Sequence, residues 1–342
     1  MVDATFSDSI RTIVGAENLL ADEPLAAHTT FRIGGPAQWL VRPRTEYEAA
    51  AVCAACRQAG VPLRILGAGS NVLAPDEGLP GVTLQLTDNF ATVDVLPGGL
   101  VRAGAGATNA AVAEAAWEAA LAGYEFASGI PGTIGGAAIM NAGAYEGQFS
   151  DVAVSVRCLV PASAVAAGGM GSAERAEQCE TTAECTGVGG PAEGEKQGEG
   201  LVVVDVPASE AAWGYRTSRM MHEGWVVLGA TLQLRPDSPA VIRARMDDLA
   251  RRRAEKQPLE VPSAGSTFKR PEGHFAGKLI QDAGMQGHRV GGAQVSTKHA
   301  GFVVNCGDAT AADVRRVIAD VQAKVRERSG VALEPEVRLW GF

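Results

Sequence analysis

Residues 129–136, Gly-Ile-Pro-Gly-Thr-Ile-Gly-Gly, place four glycines and a proline in eight positions, and a second small-residue turn, Asn141-Ala-Gly-Ala-Tyr145, follows soon after. Glycine admits positive φ and lets a backbone approach a ligand closely, while proline stiffens the path. Ordering such a run costs much conformational entropy, so a purely structural turn is a poor explanation for it. It suits a loop whose backbone N–H groups converge on phosphate oxygens. An earlier element, Leu66-Gly-Ala-Gly-Ser-Asn71, follows an apolar segment. Two loops of this kind point to a long, diphosphate-bearing cofactor.

Neither loop is a standard nucleotide fingerprint. The dinucleotide motif needs G-x-G-x-x-G opening a helix, and Leu73-Ala-Pro75 stops a helix from forming after Gly67 and Gly69. No Walker-type G-x-x-x-x-G-K-[ST] occurs, which disfavours a nucleoside triphosphatase. Thirty basic against thirty-nine acidic residues give a net charge of −9. That balance argues against nucleic-acid or anionic-membrane partners while leaving room for a local basic pocket. Residues 1–8 carry neither a basic nor an apolar leader region, and no apolar run approaches about 18 residues. A cytoplasmic location is therefore expected. Cys53 and Cys56 have no second pair at metal-ligand spacing, so no metal is expected and the six cysteines read as reduced thiols.

The 342 residues suffice for two or three domains with a substantial core. Thr45-Glu-Tyr-Glu48 is a capping-box pattern for a helix that Gly60 and Pro62 end. Strands are predicted at 61–66, 82–86, 101–103, 201–204 and 224–229, and helices from Thr108, from Ser238-Pro239 and from Thr310-Ala-Ala-Asp313. The spacing is α+β, without the even alternation of a doubly wound sheet. Residues 161–200 hold nine glycines, eight alanines and seven glutamates, and no Leu, Ile, Phe, Trp or Tyr. They are expected to form a disordered insertion, with Cys179 and Cys185 incidental to it. The arginines at 243, 245 and 251–253 read as a solvated helix face.

Several residues later in the chain carry possible chemistry. Arg216, in Gly214-Tyr-Arg-Thr-Ser218, suits either a hold on a carboxylate or enolate-like oxygen or an ordinary ion pair. Ser266 follows a glycine, which frees its backbone to turn and expose the hydroxyl; it suits hydrogen-bond or proton donation rather than acyl attack, with a loop N-cap as the alternative. Lys269 and Arg270 offer charge for an anionic substrate. His299 reads as a packing residue. Glu334 and Glu336 are expected on one side of a strand-like tail, with Pro335 interrupting the ladder between them.

In sequence order, Thr29–Gly35, Leu66–Asn71, Ser128–Gly136, Asn141–Tyr145, Gly214–Arg216, Ala264–Phe268, Val295–Phe302 and Leu333–Arg338 resemble the UDP-N-acetylenolpyruvoylglucosamine reductase family. The likeness covers the chain outside 161–200. It implies an α+β fold: an FAD-binding module of the vanillyl-alcohol-oxidase (PCMH) type with two subdomains at 27–235, after an N-terminal segment at 1–26, and a C-terminal α+β substrate-binding domain at 236–342. By the same resemblance, FAD is held by Gly67, Gly69, Ser70 and Asn71 and by Ser128, Gly129, Ile130, Pro131, Gly132, Thr133, Gly135, Gly136, Asn141 and Gly143.

The implied reaction is NADPH-dependent reduction of UDP-N-acetylglucosamine enolpyruvate to UDP-N-acetylmuramate, for peptidoglycan precursors. Hydride comes from reduced flavin N5. Arg216 and Glu336 stabilise the enolate, and Ser266 delivers the proton. The chain is similar to the branch that lacks a tyrosine loop in the C-terminal domain, since tyrosine occurs only at 47, 124, 145 and 215. Lys269, Arg270 and Arg289 are the candidates for the substrate diphosphate, and Thr217 stands where the family often has Asp. A flavin oxidase on the same scaffold would not need Arg216, Ser266 and Glu336 together, and a nucleotide-sugar sensor would lack one of them. Oligomeric state is not legible in the sequence, and a monomer is compatible with it.

Overall fold

The computed structural model describes residues 3–166 and 200–342. The first part runs α1 (Asp3–Val14), β1 (Leu19–Pro24), β2 (Pro36–Val41), α2 (Glu46–Ala59), β3 (Leu63–Leu66), β4 (Val72–Leu73) and β5 (Leu79–Gln85). Its sheet has the order β1-β2-β5-β3, with β5 parallel to both neighbours. Parallel strands need a crossover, and α2 carries the chain from β2 to β3. Thr45 Oγ1 accepts the Glu48 N–H at 3.1 Å, and Gly60, at φ +65°, ends the helix. The return half of the capping box lands one residue early: Glu48 accepts from the Arg44 N–H at 2.7 Å. Cys53 and Cys56 are buried free thiols on α2, and burial pushes both up to about 12.

The second part runs β6 (Val93–Leu96), β7 (Leu100–Gly104), α3 (Asn109–Glu118), β8 (Leu121–Ala122), α4 (Ile134–Met140), β9 (Gly143–Ala144), β10 (Gly147–Gln148), β11 (Ala153–Pro161), α5 (Ala162–Ala166), β12 (Leu201–Pro207), α6 (Arg219–Glu223), β13 (Val226–Gln233), β14 (Arg235–Pro236) and α7 (Pro239–Lys256). Its antiparallel sheet has the order β12-β11-β13-β7-β6. Val101, Val156, Val206 and Leu232 share one core with Val112 of α3, Ile134 of α4, and Ile242 and Met246 of α7. At α7, Ser238 makes no side-chain cap; the Asp237 carboxylate accepts the Ser238 N–H instead, at 2.8 Å.

The edges of the expected insertion are ordered. Pro161 pairs with Leu201, residues 162–166 form α5, and the Ala162 N–H donates to the Gly200 carbonyl at 2.8 Å. Ala164 and Val165 rest on the core, so strand pairing and two small apolar contacts override a weak local composition. Residues 167–199, with Cys179 and Cys185, lie outside the described residues.

The last part runs β15 (Ser263–Ser266), α8 (Ala276–Asp282), β16 (Arg289–Val290), β17 (Ala293–Val295), β18 (Phe302–Asn305), α9 (Ala311–Ser329) and β19 (Arg338–Leu339). Its sheet has the order β15-β18-β17-β16. The expected capping box at Thr310 and Asp313 is formed, and Val314, Val317, Ile318, Val321 and Val325 of α9 are buried in its core. Phe31, Ile33 and Leu73 from the first part join that core. Asp76 accepts the Ala311 and Ala312 N–H groups at 2.7 and 3.0 Å, and β19 pairs in parallel with β4. The ends of the chain are thus bound into one α+β body, the expected class.

Candidate active site

The two glycine elements lie against each other. A Cβ on Gly67 would stand 2.6 Å from Thr133 Oγ1, and one on Gly132, at φ +121°, 2.7 Å from Ser70 Oγ. Ser70 donates to the Pro131 carbonyl at 3.0 Å, and the Asn109 N–H donates to the Gly132 carbonyl at 3.1 Å. Gly129, Pro131 and Gly136 are exposed along this junction, whereas Thr133 and Gly135 are buried. Ser128 is turned inward, its hydroxyl donating to the Glu125 carbonyl at 2.9 Å, and Ile130 rests on the second core.

Asn141 and Gly143, expected as cofactor residues, also hold the neighbouring turn. The Asn141 amide donates to the Gly214 carbonyl at 3.2 Å and to Gln148 at 3.3 Å, and its oxygen accepts the Ser150 N–H at 2.9 Å. The Gly143 carbonyl accepts from Arg216 Nη2 at 3.2 Å. Asn71 likewise sends its amide to the Glu336 carbonyl, at 3.1 Å.

Arg216 sits at φ +57° in the Gly214–Thr217 turn, a left-handed conformation that costs a non-glycine residue about 1–3 kcal/mol. Its Nε donates to Glu336 Oε1 at 2.6 Å. The Glu336 side chain is 13% exposed. Burial raises its proton affinity above the ordinary carboxylate range, with Arg216 and then Lys269 opposing. The Glu336 N–H donates to the Thr267 carbonyl at 2.8 Å, which seats the acid beside Ser266, whose backbone ends β15 and whose surface is exposed.

Arg216, Ser266 and Glu336 line one cleft of about 420 Å³, with Arg270, Lys278 and Lys298. Of the residues expected to bind the diphosphate, only Arg270 faces it. Lys269 pairs with Glu334 at 3.2 Å, and Arg289 donates to the Gly291 carbonyl at 2.8 Å in the β16–β17 turn. Glu334 and Glu336 do not share a side: Glu334 is exposed and Glu336 faces the cleft. Among the described residues the ladder that alternation requires is missing there, the tail making only the isolated Phe268–Pro335 bridge before β19.

Lys278 and Lys298 were not picked out from the sequence. A lysine on a short helix is ordinary surface chemistry, whereas Lys298 stands in Val295–Phe302, one of the segments that carry the family resemblance. His299, expected as a packing residue, also lines the cleft. Its Nδ1 accepts the Gly301 N–H at 3.1 Å, its ring meets Phe302 edge-on at 5.0 Å, and burial lowers its pKa.

The arginines of α7 are not one solvated face. Arg253 is buried and donates to the Gly129 carbonyl, and burial lowers its pKa. Arg243 stacks on Trp117 at 3.8 Å and bonds Glu114. Arg245 pairs with Glu125 and Asp237 at 3.0 and 2.9 Å.

The junction fits the diphosphate of FAD: the two loops interlock at Gly67 and Gly132, where an added Cβ would stand under 3 Å from a side-chain hydroxyl, and exposed backbone lines the seam. A family model described as an FAD binding domain matches residues 37–167, and one described as UDP-N-acetylenolpyruvoylglucosamine reductase, C-terminal domain, matches 257–340. The chain is 43% identical to the UDP-N-acetylenolpyruvoylglucosamine reductase of Lachnoclostridium phytofermentans, over 97% of this chain and 96% of that protein. Its identity to the Clostridium perfringens reductase is also 43%, over 95% and 94%. The crystal structure of UDP-N-acetylenolpyruvylglucosamine reductase from Thermus caldophilus aligns with a TM-score of 0.69 at 31% identity, over 93% of this chain and 97% of that one. With its cofactor loops interlocked beside a cleft that gathers arginine, serine and glutamate, the chain belongs to the UDP-N-acetylenolpyruvoylglucosamine reductase family and is an FAD-dependent oxidoreductase.

Proposed function

We propose that this protein uses NADPH and FAD to reduce UDP-N-acetylglucosamine enolpyruvate to UDP-N-acetylmuramate, in the cytoplasm, for peptidoglycan synthesis. The observation that carries the reading is the convergence of Arg216, Ser266 and Glu336, from three distant segments, on one cleft beside the glycine loops. Transfer of two electrons from nicotinamide to substrate is the chemistry that bound FAD supplies.

The residues of this chain act on the charge that results. As hydride reaches the vinyl methylene carbon, charge builds on the carbon beside the carboxylate and spreads into it. The Arg216 guanidinium, fixed by Glu336 and the Gly143 carbonyl, is the cation aimed at that charge. Glu336 retains a proton to higher pH than an ordinary carboxyl and donates a hydrogen bond to the enolate oxygen. The Ser266 hydroxyl delivers the proton to carbon; a serine is a weak acid in water and an adequate one toward a strongly basic carbanion in a water-poor site. Arg270, Lys278 and Lys298 take the diphosphate, in place of Lys269 and Arg289.

The division at 1–26, 27–235 and 236–342 carries one amendment. Ile242 and Met246 of α7 are buried in the second core, so we place the start of the substrate domain after Lys256.

Ser266→Ala tests the assignment. On FAD-loaded enzyme, reduction by NADPH stays near normal while reoxidation by the enolpyruvyl substrate slows by about 10²-fold or more. Equal slowing of both half-reactions would remove Ser266 from the proton step.

A further inference from the structure

The tail that carries Glu336 has little secondary structure to hold it. Between Leu333 and Val337 its only ladder contact among the described residues is the isolated Phe268–Pro335 bridge. Two hydrogen bonds fix the peptide groups of Glu336 itself. Its N–H donates to the Thr267 carbonyl at 2.8 Å, and its carbonyl accepts the Asn71 side-chain amide at 3.1 Å. The first ties the acid to the residue after Ser266; the second ties it to the first glycine loop. Asn71 is further anchored by its own carbonyl, which accepts the Arg338 N–H at 2.9 Å, and it immediately precedes β4, where Val72 pairs with Arg338. The same amide nitrogen lies 3.9 Å from Met140 Sδ at the end of α4. One side chain thus joins the cofactor loop, the end of α4 and the acid.

We infer that Asn71 is a positioning residue for Glu336: its amide holds the acid's backbone so that the carboxyl meets Arg216 beside Ser266. The inference rests on the catalytic role proposed for Glu336. It follows from the amide bond that the seat of the acid is built partly from the cofactor loop, so the proton-handling end of the cleft is set from the flavin side of the molecule. A misplacement of about 1 Å in such a group is enough to cost roughly 10²-fold in rate.

The test compares Asn71→Ala, the near-isosteric Asn71→Leu and Glu336→Gln, each loaded with FAD and followed anaerobically in both half-reactions. FAD affinity of the apoproteins, by fluorescence quenching, and thermal melting accompany the kinetics. Positioning predicts that both Asn71 variants lower the limiting rate of reoxidation by about tenfold or more. With FAD saturating, the apparent substrate Kd and the limiting rate of reduction by NADPH then change several-fold less than the limiting rate of reoxidation. Slow reoxidation in Glu336→Gln with limiting rates near the parent's in both Asn71 variants would overturn the inference and leave the catalytic reading intact. Weakened FAD affinity with both half-reactions slowed alike would overturn it in favour of a cofactor ligand. Normal reoxidation in Glu336→Gln would overturn it together with the role of Glu336.

Discussion

Glu336 is pulled two ways: burial favours its neutral form, and Arg216 and Lys269 favour its charged one, with burial the larger effect. If the neutral carboxyl is the working form, reoxidation by substrate falls as pH rises through its pKa, on a limb lying above the ordinary carboxylate range. Glu336→Gln, neutral at every pH, flattens that limb; a limb that survives the substitution belongs to another group. Arg216 and Ser266 stand in short motifs whose local chemistry marks them as candidates, whereas only the family resemblance separates Glu336 from Glu334 in the sequence. Lys278 and Arg253 were not legible. One looks like any surface lysine, and the other like part of a solvated arginine run, until α7 is laid against Gly129.

Among the elements, Gly132 is one of the two points at which the glycine loops interlock. Its φ of +121° disfavours any side chain, and an alanine Cβ would stand 2.7 Å from Ser70 Oγ. Gly132→Ala is expected to cost about 1–3 kcal/mol in stability and to weaken FAD binding by about tenfold or more. Gly200→Ala, whose Cβ would meet nothing within 4 Å among the described residues, serves as the control and is expected to change neither. FAD titration of the two apoproteins checks this; equal affinities would show that the loop junction does not shape the cofactor site. The helix starts at Thr45, Thr108 and Thr310 could be read from sequence because a cap bonds its own helix. The tail at 333–338 could not, since its partners are Thr267 and Asn71, far away in the chain.

The α+β class and the order of the parts were visible at the scale of the whole molecule. The joints between them were not: Asp76 caps α9 from 235 residues away, and Phe31 and Leu73 sit in the core of the last part. Such contacts leave no local signature. The paired ends of β11 and β12, with the Ala162–Gly200 bond beside them, close the chain on either side of residues 167–199. Replacing 168–198 with a short glycine-serine linker is therefore expected to leave FAD affinity and turnover within about twofold, because closure entropy changes slowly with loop length. A large loss of either would place that segment in the fold or the cleft. The measurement that bears most directly on the proposed reaction is an anaerobic absorbance trace of the FAD-loaded protein, with NADPH added first and UDP-N-acetylglucosamine enolpyruvate second. Bleaching of the flavin, then recovery of its colour only with that substrate, is the predicted result. Bleaching reversed only by admitting oxygen would contradict it.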